Sequence, residues 1–72
     1  MKIIEQFFSE LTDQELQQAF KEYESWRETG TLEDGIIRST YNKFSAETGV
    51  KGTIHLVSEP LLYTIVKRHL NW

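Results

Sequence analysis

The stretch Leu11–Gly30, LTDQELQQAFKEYESWRETG, carries both of its own ends and so constrains the chain more than any other segment. Thr12 stands where a hydroxyl caps a first helical turn. Glu15 is placed to return a bond to the Thr12 backbone, and Leu11 and Leu16 bracket that cap as a hydrophobic staple. Gly30 supplies the residue that most readily closes a helix in the left-handed conformation. Between these ends Leu16, Ala19, Phe20, Tyr23 and Trp26 recur at helical spacing, which predicts an amphipathic helix over residues 13–29. Its other face, Gln14, Gln17, Gln18, Lys21, Glu22, Ser25 and Glu28, reads as solvated. The apolar stripe needs a cover, and the rest of the chain has to provide it.

Three further helices are expected around it. Residues 2–9 place Ile3, Phe7 and Leu11 at one spacing and Ile4 and Phe8 at the same spacing beside them. Both Phe are expected in the core, with Phe7 the candidate for a partner contact. A third helix over 33–48 starts from Thr31 or Asp34 as cap and stops before Gly49, with Ile37, Thr40, Tyr41 and Phe44 facing inward. A last helix over 59–70 begins after Ser58, with Pro60 tolerated in its first turn. Leu62, Ile65, Val66 and His69 are expected to face the core. Residues 50–57, VKGTIHLV, are an irregular or short extended connector; Ile54 and Leu56 alternate as in a strand, but no second strand offers itself as a partner. The expected fold is all-α, a compact bundle of about four helices forming one domain over 1–72. Its expected core is Leu16, Phe20, Tyr23, Ile37, Tyr41, Phe44, Ile54, Leu62, Ile65 and Val66, with Trp26 at least half buried.

At 72 residues with no cysteine, the chain has neither disulfides nor thiolate metal cages to staple a thin core. It depends on packing, on caps, or on a second copy. No apolar run approaches a membrane span or a signal-peptide core, so the chain reads as soluble and cytoplasmic with no membrane partner. Net charge is −3, divided unevenly: residues 1–36 carry −6 and residues 37–72 carry +3. The halves are either two solvated faces or the poles of a dipolar molecule.

Chemistry leaves little trace. Nucleophilic catalysis needs a nucleophile beside an orienting base. His55 and His69 instead sit far apart within apolar segments, one reading as a packed ring and the other as a helix-end cation. Carboxylates such as Glu24 and Glu28 lie on a convex helix face without the desolvation that tunes an acid. No metal-ligand spacing and no phosphate-binding glycine motif occurs, so neither metal nor cofactor is expected and the chain reads as a non-enzyme.

The run Phe44–Val57, FSAETGVKGTIHLV, resembles the helix-turn-helix of DNA-binding domains. Gly49 and Val50 fall in the turn, and Thr53 and Ile54 fall where a second helix begins. Ser45, His55 and Pro60 depart from the pattern. The resemblance implies that Lys51, Thr53 and His55 face bases while Arg38, Lys43, Lys67 and Arg68 meet phosphates. Overall acidity opposes that reading. The favoured expectation is a non-catalytic interaction module, an adaptor, regulator or inhibitor. Its partner is another protein or a second copy of the chain, and a nucleic acid is the less favoured alternative. Candidate contact residues are Phe7, Arg38, Lys43, Tyr63, Lys67, Arg68 and Trp72.

Overall fold

The computed structural model describes residues 3–70. Four α-helices follow in order: α1 (Ile4–Ser9), α2 (Asp13–Thr29), α3 (Ile36–Thr48) and α4 (Ser58–Leu70), with a 3-10 turn over Ile54–Val57 before α4. No strand occurs among the described residues. The chain is therefore the all-α bundle expected. Lys2, at the start of the expected first helix, and Trp72 lie outside the described residues.

Both ends of α2 form as the sequence dictates. The Glu15 N–H donates to Thr12 Oγ1 (3.1 Å) and the Thr12 N–H donates to Glu15 Oε1 (2.9 Å). At the other end Gly30 takes φ 78° and its N–H reaches the Trp26 carbonyl. Gly49 closes α3 in the same way at φ 71°. The Thr12 backbone N–H, then the Thr12 hydroxyl, hold the Glu15 carboxyl below the usual carboxylate range. A depressed folded pKa stabilises the fold above the unfolded value, and that contribution disappears as pH falls through the folded one. Glu15→Gln keeps a bond acceptor that does not titrate. The variant is expected to lose less of its urea midpoint than the wild type between about pH 5 and pH 2. Equal losses in the two proteins would remove the capping box from the acid limb.

α3 starts at Ile36, three residues later than expected, because its cap comes from another helix. The Glu22 carboxylate accepts from the Ile36 N–H (3.1 Å) and the Ile37 N–H (3.0 Å), satisfying two of the orphan donors of the first turn. Neither Thr31 nor Asp34 serves as the cap; Gly35 does, with no side-chain bond. A Cβ on Gly35 would stand 2.4 Å from a Glu22 carboxylate oxygen, so a side chain there displaces the group that caps the helix. Glu22, expected on a bland solvated face, is thus a tertiary cap.

The connector after α3 needs no strand partner because α3 side chains take up its backbone. The Tyr41 hydroxyl donates to the Gly52 carbonyl (2.5 Å) and accepts from the Gly52 N–H (3.2 Å). Ser45 donates to the Val50 carbonyl, and Thr48 Oγ1 accepts from the Val50 N–H. The chain then winds through the 3-10 turn directly into α4.

Phe8, Leu16, Ala19, Trp26, Leu32, Ile37, Val57 and Leu61 form the buried cluster. Trp26 is well over half buried, as expected, and Leu16, Ile37 and Phe44 lie inside. Two expected core residues do not: Phe20 is 38% exposed and Val66 50% exposed. Tyr23, Tyr41, Ile54, Leu62 and Ile65 are only partly buried. For Leu62, Ile65 and Val66 the difference is one event, a rotation of α4. Its inward line is Leu61, Thr64 and Arg68, about one residue out of phase with the expected Leu62, Ile65, Val66 and His69.

Arg68 is what fixes that rotation. Its guanidinium donates to the Leu11 carbonyl (2.6 Å) and the Ser9 carbonyl (2.8 Å), and meets Asp13 Oδ1 at 3.2 Å. These are carbonyls of the α1–α2 corner, which have no partner further along α1. Arg68→Ala is expected to cost about 2 kcal/mol, the scale of hydrogen bonds made by a charged group. Arg68→Lys should recover little of that, because an ammonium cannot span the fork of acceptors. A urea midpoint unchanged in Arg68→Ala would show that the corner holds without it.

Candidate functional site

Charge offers the first test of a site, and the fold takes up two of the arginines. Arg38 donates to the Leu32 carbonyl (2.8 Å) and pairs with Asp34 at 3.6 Å. Arg68 is committed to the α1–α2 corner. Lys43 lies close enough to Glu15 to help lower its pKa. Two bases of the second half, Arg38 and Arg68, thus pair with acids of the first half, Asp34 and Asp13.

This disposes the candidate contact residues unequally. Phe7, expected at a partner contact, is 6% exposed and sets its ring edge to face against Phe44 at 6.1 Å. It is a core residue. Arg38 and Arg68 hold backbone carbonyls, and Lys43 is exposed on α3, where it lines an open depression together with Arg38. Tyr63 and Lys67 are exposed together on α4, with the Lys67 ammonium 5.8 Å from the Tyr63 ring centroid. Trp72 lies outside the described residues.

The helix-turn-helix resemblance places a second helix from Thr53. The structure has loop through Thr53 and then a single 3-10 turn that leads into α4. His55, expected to face bases, stacks its ring on Trp26 with centroids 5.0 Å apart and planes 15° apart. Tyr23 meets the same indole edge to face at 6.2 Å. The imidazole thus latches the 3-10 turn onto α2. His69 lies at the far end of α4, in a depression of about 230 Å³ shared with Leu16, Phe20 and Ile65. The two histidines line separate surfaces. Among the described residues no group of three or more His, Cys, Asp or Glu side chains could hold a metal ion, and no helix is long and apolar enough to cross a membrane.

What remains is apolar surface on α4 and the neighbouring part of α2. Val66 and Tyr63 are about half exposed, Leu62 is partly covered, and Phe20 opens beside Ile65 into the depression between the helices. α4 is therefore apolar on two sides, since Leu61 is fully buried on the other. A helix apolar around most of its circumference is ordinarily covered on most of it. Sequence periodicity assigns Phe20, Leu62, Ile65 and Val66 to the interior and leaves Tyr63 as a candidate contact residue; the usable signal is that α4 carries more apolar residues than one face can hold. Compared with known proteins, the chain matches no family, no curated protein and no solved structure.

Proposed function

We propose that this domain is a non-catalytic protein-interaction module that works through the outer face of α4 and the adjoining part of α2. One observation carries the reading: α4 has two apolar sides, and the described residues bury the one bearing Leu61 while Tyr63 and Val66 on the other stay about half exposed. Tyr63 adds an aromatic ring of the kind enriched at protein contacts. The depression on α3 beside Arg38 and Lys43 is open and carries no histidine, and in the one lined by His55 and Ser58 the imidazole is stacked on Trp26. A nucleic-acid regulator acting through residues 44–57 has less support, because Arg38 and Arg68 spend their donors on backbone carbonyls.

The test replaces Tyr63 with a photoreactive phenylalanine analogue and irradiates cells expressing the chain. A protein adduct at that position, lost when Val66→Glu is added, is the expected result. Adducts only with nucleic acid, or protein adducts indifferent to Val66→Glu, would sink the proposal.

A further inference from the structure

This inference rests on the reading just given and names the occupant of the α4 face. We propose that the occupant is a second copy of the same chain, its α4 packed antiparallel across a two-fold axis near Tyr63. The exposed side of α4 begins with Glu59, continues through Leu62, Tyr63 and Val66, and ends with Lys67. Glu59 and Lys67 stand equally far from Tyr63 in opposite directions, about 6 Å along the helix. Antiparallel pairing about Tyr63 sets each Glu59 against Lys67 of the second copy and each Leu62 beside its Val66. Parallel pairing would instead oppose like charges at both ends. The face is thus its own complement, acidic at one end, basic at the other and apolar between. Lys67 already lies along it, over the Tyr63 ring. A two-fold contact of this kind is isologous and closes at two copies. The paired helix dipoles also oppose one another favourably.

Sedimentation equilibrium of the whole chain tests the proposal. At about 1 mM, where even millimolar contacts are populated, the mass should rise from 8.5 kDa towards twice that value. Val66→Glu should return it to that of one chain, with an unchanged far-ultraviolet circular dichroism spectrum to show that the helices persist. Glu59→Lys and Lys67→Glu should each weaken the dimer alone. An equimolar mixture of the two single variants should restore the doubled mass, since one then carries only bases on the face and the other only acids. A wild type that stays at one chain's mass, a dimer indifferent to Val66→Glu, or a mixture that fails to recover would each overturn the inference. Monomer mass together with a Val66-dependent adduct to a different protein would overturn the second copy and leave the interaction reading standing.

Discussion

Phe8→Ala is expected to destabilise the domain by about 3–5 kcal/mol, the usual range for emptying a buried aromatic site. Phe8 is fully buried in the central cluster, where α1 meets the rest of the bundle. A chain of this size has a total stability of only roughly 4–11 kcal/mol. The substitution therefore removes a large share of it and, at the lower end of that range, unfolds the protein. Part of the loss is hydrophobic transfer, and part is the cavity that a short helix cannot collapse to fill. Phe8→Leu retains most of the volume and should cost distinctly less. Urea titration followed by circular dichroism reads both variants. A Phe8→Ala midpoint close to wild type would place α1 outside the cooperative core.

The second large effect separates the two sides of α4. Leu61→Ala is expected to cost about 2–5 kcal/mol, because Leu61 is fully buried. Val66→Ala, five positions along the same helix, should fall within about 0.5 kcal/mol of wild type in dilute solution. It should even stabilise slightly, because alanine is the better helix former at an exposed position. The amphipathic pattern read from sequence places Val66 inside. Equal costs at the two positions, or a larger cost at Val66, would mean that α4 is rotated from the orientation described.

The same helix shows where sequence reasoning stops. On α2 the stripe is interrupted by enough polar residues that most of its inward side is evident, and Leu16, Ala19 and Trp26 are buried as expected. Phe20, which is exposed, and Tyr23, which is only partly buried, are the exceptions. On α4 the run Leu61, Leu62, Ile65 and Val66 wraps around the helix, so periodicity alone permits more than one rotation. Arg68 reads from sequence as a candidate contact residue, yet its three acceptors lie at the α1–α2 corner, 55 to 59 residues away. The candidate surface was legible in the same partial way. Tyr63 and Lys67 were identified from sequence and are exposed, whereas Phe7 was drawn into the core by Phe44 and both arginines were taken up by backbone carbonyls.

Local residue patterns settle the helical class, both ends of α2 and the stop of α3. Those features depend on hydrogen bonds and glycine conformations within a turn or so of the chain, and such short-range physics is written locally. Where α3 begins, how the connector is held and which side of α4 turns inward depend instead on packing between elements. Glu22 reaches Ile36 and Ile37 from a different helix, Tyr41 grips Gly52 across a loop, and Arg68 reaches back over nearly the whole chain. Each of these groups meets partners that become neighbours only when the helices pack, so no local pattern records the choice.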